Sequence, residues 1–320
     1  MKSPVGKIIC AVFLVAMGCG SQAGTLETES DAMAKALAAN KAKDYAASMA
    51  IYRKLAGEGS AAAPTMIGLL YFAGAGVPRD NTRACDFFAI GEEKADPNGT
   101  ELLADCFFKG EGRARDYAQS ARLYEKASER GVAIAACALG NQYLSGLGVE
   151  KDQTKAAALC RKSADRGVAN AQTDLGQMYL VGQGVEKNLP EAAGWFQKAA
   201  DQGNANAAFL LGTMYWNGDG VERNHEQAGK RWYLSATRGN TSAPARLAKF
   251  YYATSITADK RIVIDPAAKA AYWGTVATHV DPNPAAQTES QKLVDLLLNA
   301  APNLKPMVET MLATPTPPGY

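Results

Sequence analysis

The chain has 320 residues, with 34 Lys and Arg against 32 Asp and Glu and only two histidines. This near balance of charge argues against nucleic acid or an anionic membrane surface as a partner. His225 and His279 have no Cys or His at ligand spacing, so the sequence predicts no metal site. No motif predicts any other cofactor.

The N-terminus has the layout of a secretory signal, with a charged start, an apolar run from 8 to 17 and small residues after it. The run is too short to span a bilayer, which takes about 20 apolar residues. We therefore expect residues 1–18 to be a signal peptide. The stretch Ala16-Met17-Gly18-Cys19 resembles a bacterial lipobox, which implies acylation of Cys19 and an outer-membrane lipoprotein facing the periplasm. The alternative is cleavage after Ala23, which leaves a soluble periplasmic or secreted protein.

Residues 26–62 predict an N-terminal capping helix pair without a glycine loop, and residues 63–242 then repeat at a constant interval of 36 residues. A fixed period of this size, with two helical patterns in each unit, indicates stacked antiparallel helix pairs. Each first helix has a small residue where the two helices of a pair cross, because a larger side chain would push the backbones apart. These crossing residues are Gly68, Ala104, Gly140, Gly176 and Gly212. Three residues later, on the same helical face, comes a ring with a structural role, and these rings are Tyr71, Phe107, Tyr143, Tyr179 and Tyr215.

Each unit also carries the signals for the loop between its two helices. A pair of glycines ends the first helix, and glycine alone adopts positive φ freely. A short polar residue then precedes the second helix, where its side chain can cap free backbone N–H groups. The capping residues are Asp80, Asp116, Asp152, Asn188 and Asn224.

The stretch Leu139-Gly140, Tyr143, Gly146, Gly148-Val149, Asp152 and Ala156 recurs 36 residues later and resembles the Sel1-like repeat, a tetratricopeptide-related module. The resemblance covers about residues 26–250. It implies an all-α fold, a right-handed superhelical α-solenoid of antiparallel helix pairs. It also implies a role in protein–protein contact, with no catalytic residue in the repeat itself.

Residues 243–280 predict a degenerate sixth repeat. Thr254 and Ile256 stand where the other units have glycine, and the interval from Ala248 to Ala270 is 22 residues instead of 16, so the loop carries an insertion. The second helix of this repeat is expected at 267–278.

After the sixth repeat, Pro282 and Pro284 are expected to break the chain. Residues 285–313 then predict C-terminal capping helices, placed at 289–299 and 304–312, and 314–320 a tail.

Four cysteines remain after the leader, and an even number in an oxidising compartment favours disulfides. When two antiparallel helices are placed side by side about their loop, Cys137 lies almost opposite Cys160. Cys85 and Cys106 are offset along the helix axes by about one turn, roughly 5 Å. Both pairings stay open beside the alternative of four buried free thiols. The disulfide-rich relatives of the family use a spacing that is absent here, so their bridges do not carry over.

No constellation in the sequence predicts catalysis. Glu101 and Asp105 lie one helical turn apart, which permits acid–base chemistry, but charged helix surfaces commonly show this spacing. We therefore expect the protein not to be an enzyme.

The first helices are expected to line a concave surface, and their free face carries the positions that do not repeat. Counted from the crossing residue, these positions are six before, three before and one after it. The residues predicted to contact a partner are Asn141, Gln177, Thr213, Asn170, Asn206, Thr173, Phe209, Glu101 and Asp105. A fourth row, four after the crossing residue, is apolar in every unit and fits either internal packing or an exposed stripe.

A groove lined by amides and hydroxyls suits an extended peptide, whose backbone can be hydrogen-bonded. The sequence thus favours a non-enzymatic interaction scaffold or adaptor in the bacterial cell envelope that binds a protein or peptide. The alternative is a scaffold, or an enzyme-like binder, for polysaccharide or cell-wall polymers.

Overall fold

The computed structural model describes residues 23–256 and 263–319, with side chains from residue 29 onwards. In these ranges the chain forms sixteen α-helices and no β-strand. It divides into two compact units, unit 1 (Met1–Arg166) and unit 2 (Gly167–Tyr320). Within each unit, consecutive helices pack against one another, as expected for an α-solenoid of helix pairs.

Unit 1 contains eight helices in its described part. In chain order they are α1 (Ala23–Lys41), α2 (Tyr45–Gly57), α3 (Ala62–Ala73), α4 (Asn81–Glu93), α5 (Pro97–Lys109), α6 (Tyr117–Glu129), α7 (Ala133–Ser145) and α8 (Gln153–Asp165).

Unit 2 contains another eight helices in its described part. They are α9 (Ala169–Val181), α10 (Leu189–Asp201), α11 (Ala205–Asn217), α12 (His225–Thr237), α13 (Ala243–Ser255), α14 (Ile264–Val280), α15 (Pro284–Ala300) and α16 (Leu304–Ala313).

The loop inside each pair follows the sequence signals, as the pair α7–α8 shows. Helix α7 ends at Gly146, whose φ of 70° is the left-handed conformation that favours glycine. Asp152 then caps α8, because its carboxylate accepts a hydrogen bond from the backbone N–H of Lys155 at 2.9 Å. The backbone N–H of Asp152 donates to the carbonyl of Tyr143 at 2.9 Å. This last bond ties the start of the second helix to the end of the first.

The crossing glycines lie where the two helices of a pair are closest. A methyl group on Gly176 would lie 2.7 Å from the ring of Phe196, and one on Gly140 would lie 2.9 Å from the carbonyl oxygen of Ala156. Both distances are shorter than real side chains allow, so only glycine fits without a shift of the partner helix. Phe196 and its counterparts in the other second helices therefore form the core of each pair.

Two disulfides are present in unit 1. Cys137 and Cys160 join the two helices of one pair, α7 and α8, with their α-carbons 4.0 Å apart. Cys85 and Cys106 join α4 to α5, which belong to adjacent repeats, with their α-carbons 6.2 Å apart. All four residues are buried.

Three details differ from the sequence expectations. The first capping helix begins at Pro284, not at 289, because proline fits the first position of a helix, where its missing N–H would be unpaired anyway. Helix α14 is longer than expected at both ends. Tyr143 is only half-buried: the ammonium of Lys155 lies 4.2 Å from its ring centroid and donates to its hydroxyl at 2.7 Å. The ring packs against the edge of the core of unit 1 and is also held by this residue of α8.

The expected signal peptide, including Cys19, and most of the loop insertion in the sixth repeat lie outside the described residues. Among the helices that the structure describes, none combines the length and apolar character needed to cross a membrane.

Candidate interaction surface

We define the first-helix face as the three rows of residues six before, three before and one after the crossing residue. In unit 1, Asn141 is exposed on this face. In unit 2, Gln177, Asn170 and Asn206 are exposed. All four side chains are primary amides, which carry both hydrogen-bond donors and an acceptor.

Asparagine pairs link adjacent repeats along this face in unit 2. The side-chain N–H of Asn204 donates to Asn170 at 2.9 Å, and that of Asn240 donates to Asn206 at the same distance. The side-chain oxygens of Asn204 and Asn240 meanwhile cap the helices that follow them, α11 and α13. The sequence reasoning missed Asn204 and Asn240, although the same interval of 34 residues within each pair was visible in the sequence.

Three of the predicted partner-binding residues are less accessible than expected. Thr173 is only 6% exposed and donates its hydroxyl to the carbonyl of Ala169, so it is not available to a partner. Thr213 is half-buried and bonds in the same way to the carbonyl of Phe209, and the ring of Phe209 is itself half-buried. Both hydroxyls thus donate to a backbone carbonyl within their own helix.

Glu101 and Asp105 belong to a half-buried network in unit 1 instead of to a free surface. The carboxylate of Asp105 accepts hydrogen bonds from the hydroxyl of Tyr124 and the ammonium of Lys109. Burial and the negative charge of Asp105 raise the pKa of the Glu101 carboxyl. Burial, with the same carboxylate beside it, also raises the pKa of Tyr124. The network thus places a carboxyl group with a raised pKa next to a carboxylate that accepts two hydrogen bonds.

The apolar row, four residues after the crossing residue, packs internally. The ring of Trp216 lies 4.2 Å from that of His225 and 5.4 Å from that of Trp232, centroid to centroid. In unit 1, Phe108 makes an edge contact with Tyr117 at 5.5 Å. These contacts favour packing over an exposed stripe for this row.

A cleft of about 360 Å³ lies at the end of the first-helix face in unit 2, among α11, α13 and α15. Its wall includes Phe209, Arg246 and Lys249, together with Ser290 of α15. Of these residues, only Phe209 was predicted. Lys249 occupies the row one after the crossing position, here Ala248, but the sequence prediction covered this row only in the five regular repeats.

Stacked helix pairs with a repeated loop and a variable face define an α-solenoid repeat protein. The family model of the Sel1 repeat matches five segments, which together make up more than half of the chain: 61–94, 99–132, 133–168, 169–204 and 205–240. The chain therefore belongs to the Sel1 repeat family, whose repeats generally mediate protein–protein interactions.

Two solved structures are similar over most of the chain. One is a Sel1 repeat protein from Oxalobacter formigenes, 25% identical, with a TM-score of 0.67, covering 79% of this chain and 99% of that one. The other is a protective antigen present in uropathogenic Escherichia coli strains that displays an SLR fold, 26% identical, with a TM-score of 0.65. That similarity covers 88% of this chain and 62% of the antigen, so the chain spans less than two thirds of the antigen's length. A search of curated proteins found no match.

Proposed function

We propose that this chain is an exported, non-enzymatic scaffold of the bacterial cell envelope that binds a partner protein or peptide along the first-helix face. The observation that carries the proposal is that primary amides are exposed on the first helices of both units, Asn141 in unit 1 and Gln177, Asn170 and Asn206 in unit 2. An extended peptide has unpaired N–H and C=O groups, and primary amides can satisfy both.

The envelope location is supported by three features of different kinds. The lipobox-like stretch before Cys19 belongs to the sequence. Two disulfides in unit 1 are of the kind that persists in oxidising compartments. The similar Escherichia coli protein is described as a protective antigen, which suits a protein outside the cytoplasm. An anchor through acylated Cys19 is part of the proposal.

Crosslinking in intact cells followed by affinity purification tests the binding face. The double variant Asn141→Ala, Gln177→Ala removes two exposed amides and is expected to reduce partner recovery severalfold without lowering the unfolding midpoint. Thr154→Ala and Glu186→Ala change residues that are equally exposed but lie off the face, so they serve as matched controls. Unchanged recovery in the double variant would place the binding surface elsewhere. Enrichment of polysaccharide in place of protein would overturn the proposal in favour of polymer binding.

A further inference from the structure

The cleft among α11, α13 and α15 contains an arginine whose guanidinium group can bind an anion. Arg246 is exposed and forms no ion pair with any residue that the structure describes. Lys249 is already engaged, because its ammonium lies 2.9 Å from the carboxylate of Glu289. Asp281, the other acid in the wall, is buried and accepts a hydrogen bond from the backbone N–H of Asn283 at 2.9 Å. Within the described wall, Arg246 therefore remains the cation available to an incoming group.

Ser290 provides a second and independent indication of a ligand. Its side chain lines the cleft and is only 5% exposed, yet its hydroxyl makes no hydrogen bond within the described part of the chain. The hydroxyl can therefore donate to a ligand oxygen in the cleft without breaking an existing hydrogen bond. Ser235, by contrast, donates its hydroxyl to the carbonyl of Ala205 at 2.7 Å.

The rest of the wall combines apolar residues with the polar Ser242 and Asn283. Phe209 offers the face of a half-buried ring, and Ala245, Ala285 and Ala286 add methyl groups. The Lys249–Glu289 pair also shows that a carboxylate fits at the edge of this cleft. The cleft thus combines a fork of guanidinium donors, a hydroxyl donor and an apolar surface at one site.

We propose that this cleft binds a carboxylate of the peptide partner, with the apolar group next to that carboxylate packed on Phe209. Arg246 pairs with the carboxylate through two parallel N–H bonds, the strongest geometry for this group. Ser290 donates to the same carboxylate. The carboxylate comes either from the C-terminus of a peptide or from an acidic side chain. This inference rests on the proposed peptide-binding function and names the chemistry of one end of that site.

Ligand-observed NMR titration of the full mature chain distinguishes the two sources. The probes are the acetylated peptide Ala-Ala-Ala-Leu with a free C-terminal carboxylate, the same peptide amidated, and an amidated peptide with Asp before the leucine. Binding of the free acid with at least tenfold lower Kd than its amide assigns the C-terminus. Binding of the Asp peptide alone assigns a side-chain carboxylate and supports the same chemistry. Equal binding of all three peptides, or none, overturns the proposal.

Variants connect the binding to the cleft. Arg246→Ala is expected to raise the Kd of the preferred peptide at least tenfold. Arg246→Lys is expected to raise the Kd by a smaller factor, and Ser290→Ala is expected to raise it severalfold. Glu289→Gln frees Lys249 and is expected to lower the Kd. Lys292→Ala removes an exposed charge on the same helix outside the cleft and serves as the control. Unchanged Kd in Arg246→Ala would refute the site. That failure would leave the proposed function standing, since partner capture through Asn141 and Gln177 does not depend on this cleft.

Discussion

Glu101 is a carboxyl group that folding removes from full contact with water. It lies one turn before Asp105 on α5, and Asp105 is held by Tyr124 and Lys109. Burial and this neighbouring charge disfavour the ionised form, so the pKa of Glu101 is raised in the folded state. A raised pKa means that the folded protein retains a proton that the unfolded chain releases. Stability from this group is therefore greatest below the unfolded pKa and is lost as the pH rises through the folded one.

Glu101→Gln removes this charge and keeps the shape of the side chain. We expect the variant to be more stable than the wild type at pH 8, by at least about 1.4 kcal/mol, the free energy of one unit of pKa shift. The difference should become small near pH 4, where the wild-type carboxyl is mostly protonated in both states. Denaturant midpoints measured from pH 4 to pH 8 give the result. Glu125→Gln changes an exposed residue of α6 and serves as the control. If the wild type instead became more stable relative to Glu101→Gln as the pH rises, the pKa of Glu101 would be lowered by folding, which contradicts the prediction.

The sequence predicted that Glu101 and Asp105 share one side of a helix, since four-residue spacing alone determines that. It did not predict their partners. Tyr124 occupies the aromatic position of its second helix, where Phe88, Phe196 and Trp232 stand in other repeats. The repeat pattern specifies a ring there, but the direction of the hydroxyl depends on how two helices pack. For the same reason, spacing placed Thr173 on the free face although tertiary packing buries it.

Among elements, the loops were the most predictable part because their signals are local. Glycine at the end of the first helix and Asp or Asn at the start of the second are set by backbone conformation and capping within a few residues. The start of α15 was missed because Pro284 was interpreted as a break, whereas it is the first residue of the helix. Proline ends helices and also begins them, and the choice depended on Asn283, which caps α15 through the backbone N–H of Ala285.

Two glycines of successive repeats allow the cost of backbone strain to be measured apart from the cost of steric contact. Gly131 has a φ of 94°, and a methyl group added there would have no other atom within 4 Å. Gly148 has a φ of 72°, and a methyl group there would lie 2.2 Å from the backbone of Tyr117. Gly131→Ala is expected to cost about 1–2 kcal/mol, the cost of a left-handed residue. Gly148→Ala adds the displacement of α6 and should cost about 1–3 kcal/mol more.

Urea unfolding of the two variants measures the difference. The protein contains its own version of the milder change, because Ala95 is the residue aligned with Gly131 and has a φ of 64°. The first repeat therefore folds with this strain present. Equal costs for the two variants would mean that the loop at Gly148 can move away from α6, and that the second loop glycine does not fix the spacing between repeats.

The chain combines a repeat array with an expected export signal. The two disulfides of the array are relevant to that signal, because disulfides persist in the oxidising compartments that exported proteins reach. Cys160 occupies the position where other second helices have a large aromatic ring. The Cys137–Cys160 bridge therefore holds α7 and α8 together, as aromatic packing holds the helices of other pairs. Closing a loop of this size stabilises a protein by about 3 kcal/mol in the chain-entropy description. Such a bridge persists in an oxidising compartment, so it is compatible with the proposed export.

Intact mass spectrometry of the protein from its native host tests export, anchoring and oxidation together. We expect a mature chain that begins at Cys19, carries acyl groups, partitions with membranes and gains no mass from a thiol-alkylating reagent until it is reduced. After reduction, four alkyl groups should add, one for each of Cys85, Cys106, Cys137 and Cys160, because acylated Cys19 offers no thiol. Cys19→Ser is expected to abolish the lipid and release the protein from the membrane fraction while both bridges form. An unmodified chain starting at Gly24 would remove the anchor and leave an exported soluble scaffold, whereas a chain that retains residues 1–18 and alkylates without reduction would place the protein in a reducing compartment and contradict export itself.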